Sequence, residues 1–282
     1  MILGIYHPAR GVGHDTGVAL VNRQGEILAA LSEERLSRVK MDGGFPFRAL
    51  EKIRSMTGVT WSDLDAVVVP YLSPGDQVRE GARLLAASVS DPDLLAAQWA
   101  TRRGQDRFQT GMAALGAYGY LDDFKRRSAA VREQDGRPPV GDWRAFLSVA
   151  GLGQVPLVQV DHHLAHAAAA YWMSGVEDAL VITCDGVGAL KSGIVACGTG
   201  TGLDVIARTF YPHSPGEFWE VVTTLCGFHH MRHGGKITGL AAHGRPDAPC
   251  YAVMRDAIAA DGLTIRTRLD PVAMRDALRN AS

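Results

Sequence analysis

The sequence predicts an α/β fold built around a repeated strand unit. Short apolar runs alternate with longer helical patterns along most of the chain. Two distant stretches share one order: buried strand, glycine turn, strand, glycine hairpin, strand. The length, 282 residues, is enough for a large core in one or two domains. Charge narrows the function classes. With 29 basic and 30 acidic residues the formal charge is −1, which argues against wrapping nucleic acid by bulk charge. No apolar run approaches the length of a membrane span. The N-terminus enters a strand pattern directly, too short for a signal-peptide core. Cys184, Cys197, Cys226 and Cys250 show no paired spacing, so a reduced cytoplasmic protein with buried thiols is expected.

Residues 2–6 read as a buried strand followed by the glycine turn Arg10-Gly11-Val12-Gly13-His14-Asp15. Such a turn lets backbone N–H groups approach an anion, although an ordinary hairpin connection has the same composition. Strands 17–21 and 26–31 follow, joined by Asn22-Arg23-Gln24-Gly25. The charged run Ser32–Lys40 reads as a solvated face leading to Gly43-Gly44-Phe45-Pro46, a helix over 47–56 and a strand over 66–70. Residues 1–70 thus make a first α/β subdomain. Residues 71–150 differ: they are helical in pattern and locally basic at Arg102, Arg103, Arg107, Lys125, Arg126 and Arg127, with interleaved aromatics. They read as a helical insertion, and this is the stretch expected to meet an acceptor substrate. Residues 151–282 carry the rest of the first subdomain and the start of a second.

The segment Asp161-His162-His163-Leu164-Ala165-His166 heads an alanine-rich helix with Asp161 as its N-cap. His162 and His166 are one turn apart on one face, a spacing that suits two imidazoles on one metal ion. The helix dipole at this end favours neutral rings. Two imidazoles underfill such a site, so carboxylates must complete it. A capped helix with surface histidines has the same spacing. Asp185 ends the strand 178–184, where ligand-contacting residues collect in α/β sheets, and joins His162 and His166 as a candidate two-nitrogen, one-oxygen set. Asp before Gly is also a common turn starter. Strands 193–197 and 204–209 complete the second copy of the repeat. A helix follows over about 214–227. His229 and His233 repeat the four-residue spacing, but in a loop. Gly234-Gly235-Lys236 reads as a flexible glycine stretch with one cation. Residues 250–260 and 271–280 look like amphipathic helices.

The repeat resembles the duplicated, ribonuclease-H-like architecture of actin, sugar kinases and Hsp70. The ordered set Gly13-His14-Asp15, Glu33–Lys40, Gly43–Pro46, Asp161–Ala167, Asp185-Gly186-Val187-Gly188 and Gly235-Lys236-Ile237-Thr238-Gly239 is similar to the N-terminal domain of the NodU/CmcH carbamoyltransferases. Those enzymes carbamoylate hydroxyl groups of nodulation factors, cephems, aminoglycosides and other natural products, antibiotics among them. The resemblance implies a carbamoyl-adenylate donor, made from carbamoyl phosphate and ATP by a YrdC-like C-terminal domain, and a small-molecule hydroxyl acceptor. It implies a divalent metal, iron in relatives, on His162, His166 and Asp185. It implies catalytic roles for His14, as base, and Asp15. It implies phosphate contacts at Gly13, Gly186, Gly188, Lys236 and Gly239.

This sequence departs from the pattern at Ala189, where relatives often carry Glu, and at His233-Gly234, where they often carry an acidic residue before Gly-Lys. The YrdC-like half and a later aspartate ligand are not among these 282 residues, so a truncated chain or a second polypeptide is expected. Two alternatives stand beside this reading: a relative of the tRNA threonylcarbamoyl transferases, and a non-catalytic or partner-dependent nucleotide-binding module.

Overall fold

The computed structural model describes residues 1–7, 15–90, 143–230, 232–246, 249–268 and 271–281. Gly13, His14 and the basic stretch from Arg102 to Arg127 lie outside the described residues. The described residues fall into two compact units. One holds residues up to Tyr71 together with 143–160, and the other holds 72–90 and the residues from Asp161 onward.

The first unit is a mixed five-stranded sheet. Strands β1 (Ile2–Tyr6), β2 (Gly17–Val21) and β3 (Ile27–Ser32) form an antiparallel meander. Strands β4 (Ala66–Val69) and β5 (Leu157–Gln159) extend it in parallel on the other side of β1, giving the order β3-β2-β1-β4-β5. Period-two alternation turns Leu3 and Ile5 of β1, Val18 and Leu20 of β2 and Val67 of β4 inward. There they meet Ala49, Leu50 and Ile53 of helix α2 (Phe47–Thr57).

The short helix α1 (Glu33–Ser37) departs from expectation. Glu33, within the run read as a solvated face, is fully buried. Its carboxylate accepts the backbone N–H of Ala49 at 2.8 Å and of Arg48 at 3.3 Å. Pro46 at the N-cap of α2 makes no side-chain cap, so Glu33 supplies the missing acceptor from another element.

The second unit begins, among the described residues, with helix α3 (Pro74–Ser90) and resumes at helix α4 (His162–Ser174). Strands β6 (Asp178–Gly188), β7 (Lys191–Thr199) and β8 (Leu203–Phe210) form a second antiparallel meander. Helix α4 packs on one face of that sheet through Ala167 and Tyr171 against Val181 and Ile194. The other side of β6 leaves Leu180 and Ile182 more than half exposed. Cys184 continues that alternation and is exposed; Cys226 is exposed too, and Cys197 and Cys250 are half-buried. The four free thiols are therefore not the buried set expected.

Helices α5 (Pro215–Leu225), α6 (Gly234–Ala241), α7 (Pro249–Ala257) and α8 (Pro271–Ala281) share a separate core of Val221, Val222, Ile237, Ala257 and Met274. Two local readings change here. The Gly234-Gly235-Lys236 stretch is helical rather than the flexible glycine stretch expected, because Ile237 anchors it in that core. Residues 258–260 leave the helix for a hairpin, β9 (Ile258–Asp261) and β10 (Thr264–Thr267). Gly262-Leu263 makes its turn, with Gly262 at a φ of +59°. No helix among the described residues is long and apolar enough to cross a membrane.

Candidate metal centre

The centre is built from the first turn of α4 and the end of β6. Asp161 caps α4, its Oδ1 accepting the Leu164 N–H at 3.0 Å. The alanine run then carries the helix to Gly175, whose φ of 70° closes it. His162 and His166 therefore stand one above the other, ring centroids 4.6 Å apart and nearly perpendicular. Their Nε2 atoms are 3.1 Å apart. The ladder between β6 and β7 slips between Cys184 and Gly188, which frees Asp185 from regular pairing. Its Oδ2 lies 2.7 Å from His162 Nε2 and 3.6 Å from His166 Nε2. These three donor atoms all lie within 4.8 Å of one another.

The electrostatics keep the Asp185 carboxylate ionised at this point. The hydrogen bond from His162, the nearby His166 imidazole and the Gly186 N–H at 2.7 Å hold the Asp185 carboxyl well below the usual carboxylate range. The same carboxylate raises the His166 imidazole. Two imidazole nitrogens and one carboxylate oxygen converging from one side are the donor set of an open divalent site, so the residues fit the metal that the sequence pattern implies.

Two glycines and one serine seat these donors. A Cβ on Gly188 would stand 2.1 Å from His162 Cδ2, so the imidazole lies directly on that glycine. A Cβ on Gly216, at the start of α5, would stand 2.4 Å from the Gly186 nitrogen and 2.6 Å from the Asp185 carbonyl carbon. Buried Ser214 accepts the Glu217 N–H at 3.0 Å as N-cap of α5 and donates to the Gly186 carbonyl at 2.6 Å. In the sequence, Ser214 and Gly216 read only as a helix start. The Ser-Pro-Gly spelling signalled a capped helix but not what it packs against.

The other predicted residues are placed as follows. Gly186 spends its N–H on Asp185, so that N–H does not face a phosphate in this conformation. Asp15 is exposed in the first unit, at a left-handed φ of 61°. Lys236 and Gly239 are exposed on α6, the ammonium 5.3 Å from the centre of the Phe228 ring. His229 and His233 meet each other, His233 Nδ1 accepting the His229 N–H at 3.2 Å, and do not belong to a metal-binding group among the described residues. His163, between His162 and His166, is fully buried and points the other way, and its burial lowers its pKa.

Beside the Asp185 turn, burial pushes the Glu217 carboxyl up to about 8, helped by nearby Glu220 and opposed by a hydrogen bond with Tyr211. An unfolded glutamate titrates near ~4.3. The folded state therefore holds a proton that the unfolded state releases, and this contribution to stability is full below the unfolded value and lost as pH rises through about 8. Glu217→Gln removes that titration. The thermal unfolding midpoint of the wild type is expected to fall relative to the variant between pH 5 and 9, read by circular dichroism. Parallel pH curves would refute it.

The model of the carbamoyltransferase N-terminus family matches residues 2–272. The chain belongs to that family. It is 29% identical over 233 residues to the nodulation protein NolNO of Sinorhizobium fredii, covering 83% of this chain and 28% of that protein. An uncharacterised protein of Synechocystis is 29% identical over 234 residues, covering 83% of this chain and 34% of the relative. The nodulation protein NolO of Bradyrhizobium diazoefficiens is 33% identical over 122 residues, covering 42% of this chain and 22% of that protein. The chain thus spans about a third of the length of the curated relatives that it matches over most of its own length.

Proposed function

We propose that this chain carries the transfer half of an O-carbamoyltransferase that moves a carbamoyl group from carbamoyl-adenylate to a hydroxyl of a natural product. The observation that carries the reading is the convergence of His162, His166 and Asp185 in a chain of this family. A divalent ion bound there, iron by resemblance, would polarise the carbamoyl oxygen or hold the adenylate phosphate. In the reaction, the acceptor oxygen bonds to the carbamoyl carbon and the bond from that carbon to the phosphate oxygen breaks. AMP leaves, and the acceptor proton passes to a base, for which His14 is proposed. The two meanders, β1–β3 and β6–β8, support the reading of a duplicated ribonuclease-H-like core. The donor-forming YrdC-like domain is proposed to come from further polypeptide.

The test supplies the donor directly. Oxygen-free, metal-loaded chain is mixed with carbamoyl-labelled carbamoyl-adenylate and a panel of polyhydroxylated natural products. Acceptor-dependent AMP release with label on the acceptor is expected, and no such transfer from any acceptor would refute the proposal. A second reading, a partner-dependent nucleotide-binding module, would instead show tight ATP binding without transfer.

A further inference from the structure

Lys191 opens β7 and is 1% exposed, a rare place for a lysine side chain. Its Nζ donates to Asp161 Oδ2 and to Glu80 Oε2 of α3, each at 2.8 Å. Glu80 also pairs with Arg83, and Arg208 of β8 stands 3.9 Å away. A buried ammonium is tolerable only when charged partners replace its water, and Asp161 and Glu80 do so here. Such pairs add little net stability compared with apolar packing. Their better-attested effect is to fix one arrangement of the elements they join.

The elements joined here carry the metal donors. Asp161 caps α4 through one carboxylate oxygen and binds Lys191 through the other. The backbone of Lys191 grips the same turn a second time. Its carbonyl lies 2.9 Å from His163 Nε2. A carbonyl only accepts, so the ring carries its proton on Nε2. His163 Nδ1 then accepts from the Thr183 hydroxyl at 3.0 Å, and that hydroxyl accepts the Ile194 N–H, also at 3.0 Å. Residues 161 and 163 are thus tied to β6 and β7 on either side of His162. Gly188, the floor under the His162 ring, is the β6 partner of Lys191 in the ladder.

We propose that Lys191 is a positioning residue for the metal centre. Through Asp161 and His163 it fixes the first turn of α4, so that His162 and His166 meet Asp185 at ligating distance. This rests on the metal-site reading above. It adds that an ion pair to α3, on a distant part of the chain, sets the geometry of the site.

The probe is Co(II), titrated without oxygen into wild type, Lys191→Met and Asp161→Asn and followed by its visible ligand-field absorption. Urea unfolding of the metal-free proteins runs alongside. Wild type is expected to bind stoichiometric Co(II). Lys191→Met is expected to bind it about tenfold to a hundredfold more weakly, as when the partners that orient metal ligands are removed, with a changed absorption band. Asp161→Asn keeps a capping side chain but loses the charge that Lys191 holds, so it should fall in between. Weaker Co(II) binding with an unchanged band would mark a general loss of stability and overturn the proposal. Equal affinity and spectrum in Lys191→Met would overturn it while leaving the metal site standing. No specific Co(II) in wild type would overturn the metal reading itself. Should Lys191→Met not fold, Asp161→Asn decides, and an affinity equal to wild type's would overturn the positioning role.

Discussion

Replacing both His162 and His166 with alanine is expected to abolish specific divalent-metal binding while leaving the chain folded. The His166 side chain is 56% exposed and that of His162 18% exposed, so little core is lost. Alanine is the better helix former at both positions. The Asp161 cap and the His163 anchor remain. What remains of the donor set is one carboxylate, which cannot close on a cation alone. The loss of affinity should exceed the roughly 100-fold that follows when only a supporting residue is removed. Metal content by elemental mass spectrometry, on protein prepared without oxygen, reads the result, and circular dichroism checks the fold. Stoichiometric metal retained by the double variant would mean that the metal resides elsewhere.

Gly216→Ala should damage the same site from behind. Its Cβ would fall 2.4 Å and 2.6 Å from backbone atoms of Gly186 and Asp185, and backbone cannot swing aside as a side-chain tip can. Either the start of α5 lifts away or the Asp185 turn moves, and both loosen the Ser214 contacts. Overpacking of this severity costs about 3 kcal/mol or more. Gly235→Ala is the matched control. That glycine also lies in the first turn of a helix, but nothing stands within 4 Å of its Cβ. Alanine there should stabilise by up to about 1 kcal/mol. Urea denaturation of the two variants gives the comparison, and equal midpoints would contradict the packing argument.

The legible parts of this molecule were those set by local chemistry. A capped, alanine-rich helix places His162 over His166 whatever surrounds it, and an apolar strand ending in Asp-Gly delivers Asp185 to a sheet end. The strands of both meanders could be read from their apolar runs to within a few residues at each end. Lys191 could not be read, because its burial depends on Glu80, 111 positions away in sequence, and nothing near Lys191 announces a carboxylate. Glu33 was misread for a related reason: its neighbours are charged, but its partners are the N–H groups of a helix that begins 14 residues later. The β9–β10 hairpin had a local signal in Gly262, which the helical pattern before it masked. The glycines at 234 and 235 suggested a loop because propensity is a weak prior, and the Ile237 contact overrides it.

The three donors of the candidate metal centre span a short contour. His162 and Asp185 are 23 residues apart, one helix and one strand of continuous chain. Closure entropy grows only with the logarithm of loop length, and contacts this local can form early in folding. Lys191 and Glu80, by contrast, join only when a far longer loop has closed. The centre thus divides into a part that can assemble from nascent chain and a part that waits for distant residues. Its ligands are cheap to gather in sequence, while their final register depends on one of the longest-range ion pairs in the described chain.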